Sequence, residues 1–181
     1  METHSKSNIN SKTKELVTSA MLIAVVFVST YFVQIPSPLS LNTGGLIHLG
    51  NVMFFMIAIV FGKKQGAIAG AFGMALFDAL SPYAVWAPFT FIIRGVMGFI
   101  IGCFANAHGR KGNNLKWNII GLIIASIFLV CGYFVSNLIL FHNLAAAIVA
   151  IYGDLTQVTI GFVLGLPLTI AIKKTKVFDN Y

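Results

Sequence analysis

Six apolar segments run through this chain, and the cationic residues fall almost wholly between them. Eleven of the twelve Lys and Arg residues form four short clusters. Lys6, Lys12 and Lys14 precede the first segment, and Lys63 and Lys64 separate the second from the third. Arg110, Lys111 and Lys116 separate the fourth from the fifth, and Lys173, Lys174 and Lys176 follow the sixth. The other three connections hold no Lys or Arg. Short loops rich in Lys and Arg stay on the cytoplasmic side of a bilayer. The alternation therefore predicts an all-α integral membrane protein with six transmembrane helices and cytoplasmic N- and C-termini. Arg94 alone lies inside a segment.

Composition agrees. Hydrophobic residues make up 57% of the chain and charged residues 9%, against about a quarter charged in a soluble domain. The formal charge of +7 is dispersed over four segments, not gathered on the one basic face that a nucleic-acid binder needs. Such cations orient helices and meet anionic headgroups. Cys103 and Cys131 fall within predicted spans, which argues against a disulfide framework or a metal knot. The apolar run Leu16–Val33 is 18 residues long, beyond the roughly 7–15 of a secretory signal core, so it reads as a retained span.

Residues 1–14 read as a polar cytoplasmic tail, 15–172 as one membrane domain and 173–181 as a second cytoplasmic tail. The six spans are placed at Glu15–Val33, Leu46–Phe61, Gly66–Leu80, Ala87–Ala105, Trp117–Leu140 and Asp154–Ile172. Pro36 and Pro38 end the first. Ser37–Gly45, with its Ser, Asn and Gly, reads as an external loop or lid, and Phe141–Gly153 as a loop that is partly helical. Gly62, Gly66 and Gly70 recur at intervals of four, as do Gly98 with Gly102 and Gly161 with Gly165. That spacing lets helix backbones approach closely in lipid.

Polar residues inside a membrane are costly and need a reason. Asp78 lies about 22 Å from Lys63 by helix rise, in the outer third. Asp154 and Gln157 share a face at the outer end of the sixth span, and Asn137 and Tyr133 share one on the fifth. His48 and Asn51 open the second span, Arg94 lies nearer mid-depth, and Tyr83 and Trp86 stand in the loop above. The inner halves carry hydroxyls and one thiol, which can bond back to their own helix carbonyls. An outward-facing substrate cup sealed below is the expectation, with Asp78, Trp86, Arg94, Tyr133, Asn137, Asp154 and Gln157 as substrate-binding candidates. Each has a plainer reading: Asp78 and Arg94 as a buried ion pair, Asp154 as a helix N-cap, His48 and Asn51 as loop ties. The chain holds no phosphate loop, H-E-x-x-H or G-x-S-x-G motif. It is therefore not read as an enzyme; no cofactor or metal is expected, and a cup without an engine needs a partner that supplies energy.

Several short motifs now align. His48-Leu49-Gly50-Asn51, Phe61-Gly62-Lys63-Lys64-Gln65-Gly66, Gly70-Ala71-Phe72-Gly73 and Phe77-Asp78 resemble the second and third helices of S components of energy-coupling factor (ECF) vitamin importers. Ala20-Met21-Leu22-Ile23-Ala24 resembles that family's Ala-x-x-x-Ala motif in the first helix. The resemblance, to the riboflavin, hydroxymethylpyrimidine and pyridoxine branch, implies a high-affinity substrate-binding subunit in the cell membrane of a bacterium. Its implied partners are a transmembrane coupling subunit and two cytoplasmic ATPases, with Ala20 and Ala24 as the seam against the coupling subunit. It also implies delivery by toppling of the subunit in the bilayer. Hydroxymethylpyrimidine or pyridoxine is favoured as substrate over riboflavin, because a small heterocycle needs only a few convergent polar groups. A stand-alone proton-coupled transporter or channel would need polar residues down to the inner mouth. A scaffold without a ligand would tolerate Ala at Trp86, Arg94 and Asp154.

Overall fold

The computed structural model describes residues 2–36, 46–175 and 177, with side chains from residue 11 onward; the expected lid Ser37–Gly45 lies outside the described residues. Five helices are long and apolar enough to cross a membrane. They are α1 (Glu2–Phe32), α2 (Gly50–Ala79), α3 (Ala87–Asn106), α4 (Leu115–Phe141) and α5 (Leu144–Lys174). Two three-residue strands, β1 (Gln34–Pro36) and β2 (Leu46–His48), pair antiparallel between α1 and α2, with Gln34 opposite His48. Single 3-10 turns precede and follow α3, at Ala84–Trp86 and Ala107–Gly109.

The count of five differs from the six expected spans for a local reason. The second and third expected spans are two arms of α2, which leaves helical geometry at Gly62 (φ 81°, ψ −176°). A side chain at that φ is strained, so glycine belongs there. Past the break the chain folds back. A Cβ built on Gly66 would lie 2.7 Å from the Ala58 Cβ, and one on Gly70 would lie 2.4 Å from the Phe54 ring. In an unbroken helix, residues 54 and 70 would stand about 24 Å apart. The two arms are therefore antiparallel neighbours around Gly62, Lys63 and Lys64.

Three expected boundaries move as well. β2 takes up Leu46–His48, so the helix after it begins at Gly50. Helix α1 extends back to Glu2 through the polar stretch read as a tail. The segment 144–153, read as partly helical loop, is wholly part of α5. Asn143 caps that helix by accepting from the Ala146 N–H at 3.1 Å. Asp154 thus lies well inside α5, and its reading as an N-cap falls.

Helix α2 is the centre of the bundle. Its most apolar window is 56% buried, against 22–33% for the other four helices. It packs against α1, α3 and α5, while α4 closes the ring between α3 and α5. Phe54, Phe55, Ile57 and Ile59 of its first arm are fully buried with Val26, Met97, Ile101, Leu122 and Leu129 from the neighbours. Glycine sets the α2–α3 spacing: a Cβ on Gly98 would lie 2.3 Å from the Gly66 carbonyl oxygen, and one on Gly102 2.3 Å from the Lys63 backbone. Small residues give this closeness, and with it the van der Waals contact that stands in for hydrophobic drive within lipid. Gly98→Ala should cost about 1–3 kcal/mol through overpacking. Gly95→Ala, whose new methyl would meet the Ala71 Cβ at 3.3 Å and the Ala67 carbonyl oxygen at 3.8 Å, should cost far less; thermal denaturation in detergent compares the two.

Candidate functional site: a polar cup at one end of the bundle

One end of the bundle gathers the end of α1, the β1–β2 ribbon, the end of α2, the start of α3, the end of α4 and the first half of α5. The clusters Lys63–Lys64, Arg110–Lys116 and Lys173–Lys174 lie at the other end. In the first end sits a cavity of about 550 Å³, its open mouth included. Asp78, Trp86, Arg94, Tyr133, Asn137, Asp154 and Gln157, the seven residues singled out in the sequence, all line it. They come from four helices and a connecting turn, and no two helices alone could present them.

The floor is built around Arg94, which is 2% exposed. Its guanidinium donates from Nη1 to Asn51 Oδ1 at 2.8 Å, from Nη2 to Gln157 Oε1 at 3.3 Å and from Nε to the Tyr133 hydroxyl at 3.3 Å. The group also lies 5.4 Å from the Tyr133 ring centroid, a cation–π distance. The Tyr133 hydroxyl shares a further bond with Thr90 Oγ1 at 3.0 Å. All of these partners are neutral. The expected alternative, an Arg94–Asp78 ion pair, is not formed; Lys64 does pair with a carboxylate, that of Glu15.

Gln157 and His48 extend the network. Since Gln157 must present its oxygen to Arg94, its Nε2 faces His48 Nε2 and donates to it. His48, in β2 ahead of the α2 helix, is held neutral by burial and then by the charge of Arg94, its pKa lowered to about 3. Its proton accordingly sits on Nδ1. Asn51 also donates from Nδ2 to the Gln157 carbonyl at 3.4 Å, which ties α2 to α5. Asn51 supports the floor from below without lining the cavity, whereas His48, expected only to tie the loop, lines it.

Among the described residues, two acceptors at the wall are left without partners. Asn137 donates from Nδ2 to the Tyr133 carbonyl at 2.8 Å, but its Oδ1 has no partner, and neither has Asp154 Oδ2. A buried polar atom without a partner costs about 1–3 kcal/mol, so these two carry a standing demand for hydrogen-bond donors. Another part of the cup's surroundings is aromatic. Phe77 and Tyr83 stack at 6.2 Å, Tyr83 meets Trp86 at 6.0 Å, and Trp86 meets Phe141 at 5.5 Å between ring centroids. Beneath the floor, Ile93, Met97, Phe55 and Leu129 form a closed apolar layer.

Leu46, Phe77, Thr90 and Ala150 also line the cavity and were not singled out as pocket residues. Thr90 stands one helical turn before Arg94, a spacing that places both on one face and was legible. Ala150 lies in the segment read as loop, so its face had no register. The network makes a prediction about stability. Arg94→Ala strands Asn51 Oδ1 and Gln157 Oε1 and should destabilise the fold by about 1–3 kcal/mol for each. Adding Asp78→Asn should not restore the loss, because no ion pair exists to be balanced; melting temperatures of the single and double variants measure this.

Alongside this geometry stand the relatives. A family model for the ECF-type riboflavin transporter S component matches residues 10–174. An uncharacterised protein of Pyrococcus woesei is 34% identical over 149 residues, which span 82% of this chain and 95% of that protein. The thiamine precursor transporter HmpT of Lactococcus lactis subsp. cremoris is 26% identical over 172 residues, 95% of each chain. The family model and the Lactococcus transporter agree on vitamin-related transport and differ in the molecule named. With a match over nearly its whole length, this multi-pass membrane chain is a transport subunit and not an enzyme, and it belongs to the family of ECF-type riboflavin transporter S components.

Proposed function

We propose that the chain captures a single-ring, donor-bearing heterocycle in the cup and delivers it inward as part of an ATP-driven importer. Hydroxymethylpyrimidine is the first choice of substrate and pyridoxine the second. The observation that carries the choice is the pair of unpartnered acceptors, Asn137 Oδ1 and Asp154 Oδ2, in a cup with an aromatic wall. An aminopyrimidine offers an exocyclic amine with two N–H donors, a hydroxymethyl donor and ring nitrogens that accept from the Arg94 end of the cup. A planar ring also stacks on Tyr83 or Trp86. The pyrimidinedione edge of riboflavin, with two carbonyls flanking a single N–H, answers two acceptors less well. The Lactococcus relative, a thiamine precursor transporter, points the same way. Riboflavin ranks behind both, and is favoured by membership of a family of riboflavin transporter S components.

In this reading the two arms of α2 are separate crossings, the bundle crosses the membrane six times, and both termini are cytoplasmic. The cup then opens outward, with the lysine clusters inside, in accord with the charge rule. Membership of the family implies a membrane-embedded partner complex with ATPase subunits. We place the coupling subunit on the exposed face of α1. Ala20 and Ala24 are exposed there, beside Val17, Met21 and Val28, while Ser19, Leu22, Val26 and Thr30 face the bundle. Small side chains between larger apolar ones suit close helix approach.

Thermal-shift measurements on the purified chain test the substrate. A ligand that binds only the folded state adds about 2.7 kcal/mol at a hundredfold excess over its dissociation constant. Hydroxymethylpyrimidine should shift the melting temperature more than riboflavin at equal occupancy; a larger shift with riboflavin reverses the assignment. Asn137→Leu, which removes one acceptor, should weaken hydroxymethylpyrimidine binding by about 1–3 kcal/mol. Ala20→Trp and Ala24→Trp should abolish co-purification with the coupling subunit yet leave the ligand-induced shift intact.

A further inference from the structure

A second cavity, of mixed polar and apolar lining, lies at the opposite end of the molecule, between the start of α4 and the end of α5. It encloses about 570 Å³, open side included. Lys173 and Lys174, in the last turn of α5, stand on one side of it, and the turn at Gly112 and Asn113 that leads into α4 stands on the other. Leu115, Leu166 and Ile170 form an apolar wall. Among the described residues, no carboxylate lines it.

Deep in this cavity sits Asn118, 4% exposed. Its Nδ2 donates to the Gly112 carbonyl at 2.8 Å, but its Oδ1 has no partner. The site thus combines three demands. The Lys174 ammonium, together with the positive end of the 27-residue helix α4, favours an anion. The Asn118 oxygen needs a hydrogen-bond donor. The apolar wall needs something that is not water. A free anion meets only the first of these.

We propose that this cavity binds the headgroup of a membrane phospholipid whose phosphodiester is joined to a hydroxyl- or ammonium-bearing group. The phosphate sits against Lys173, Lys174 and the α4 N-terminus. The headgroup donor reaches Asn118 Oδ1, and the glycerol and upper acyl chains lie along Leu115, Leu166 and Ile170. Basic cavities between transmembrane helices at the cytoplasmic side bind headgroups in this manner. The inference rests on the membrane orientation proposed above and is independent of which vitamin fills the cup.

Native mass spectrometry of the detergent-solubilised chain tests it, with added phosphatidylglycerol, phosphatidylethanolamine or phosphatidylcholine of identical acyl chains. Phosphatidylcholine keeps the phosphodiester but has no hydrogen-bond donor. Retention of phosphatidylglycerol or phosphatidylethanolamine should exceed that of phosphatidylcholine by tenfold or more. The double variant Lys173→Gln/Lys174→Gln should lose this retention, while Lys63→Gln/Lys64→Gln, which removes the same charge elsewhere on that face, should keep it. Equal loss in both variants would reduce the effect to bulk charge and overturn the site, as would equal retention of all three lipids. Glycerol 1-phosphate competing as well as the lipid would assign the cavity to a soluble phosphate and overturn the lipid headgroup. The vitamin-induced thermal shift, measured on the same variants, reports separately on the cup, so failure of one reading leaves the other standing.

Discussion

Arg94 carries a charge that no environment in a protein removes, and the chain buries it at the base of the cup with no carboxylate against it. An uncompensated buried cation is expensive. Here the charge is spread over the Tyr133 hydroxyl and ring, Asn51 Oδ1 and Gln157 Oε1, and each of those atoms belongs to a different helix. One guanidinium therefore fixes α2, α4 and α5 around α3. It sets the depth of the floor, orients the Gln157 amide and, through it, the tautomer of His48. Because Arg94 is satisfied by neutral groups, both carboxylates of the cup, Asp78 and Asp154, remain uncommitted to it. A cup built on an Arg94–Asp78 pair would have a different electrostatic character, with one acid fewer to meet a ligand.

The other constraint is distance. Gly66, Gly70, Gly98 and Gly102 bring the two arms of α2 and helix α3 so close that a single added methyl would collide with backbone or ring. This tight sandwich holds the end of α2 with Phe77 and Asp78 next to the start of α3 with Thr90 and Arg94. The aromatic wall and the polar floor are thus set by packing at the other end of the same helices.

Much of the site was legible because membrane sequences are sparse in polar residues. When so few occur within the spans, their depth along helices of known rise nearly specifies which ones share a level, and all seven residues chosen on that basis line one cavity. What escaped was contact. Depth brought Asp78 and Arg94 to one level, and the ion pair seemed natural, yet a guanidinium's direction depends on which neighbours rotate towards it. Hydropathy could not separate the end of a loop from the start of a helix at residues 144–153, so Asp154 was placed a helical turn or more too near the α5 start and Ala150 went unseen. Likewise nothing in the alternation of polar and apolar residues marked the short ribbon that seats His48 over the cup.

Taken alone, the sequence determined the class of the fold, the break at Gly62–Lys64, the placement of charge at one end and the set of residues able to form a cup. These follow from local or one-dimensional physics: the energetic cost of charge in lipid, the helical rise and the conformational freedom of glycine. Only the tertiary structure decided which polar atoms satisfy one another and which are left over. Asn137 Oδ1, Asp154 Oδ2 and Asn118 Oδ1 have no partner because the neighbouring helices, packed by their glycines, turn no donor towards them. Hydrogen bonding depends on direction at a scale of tenths of an ångström, and that is a property of the assembled bundle.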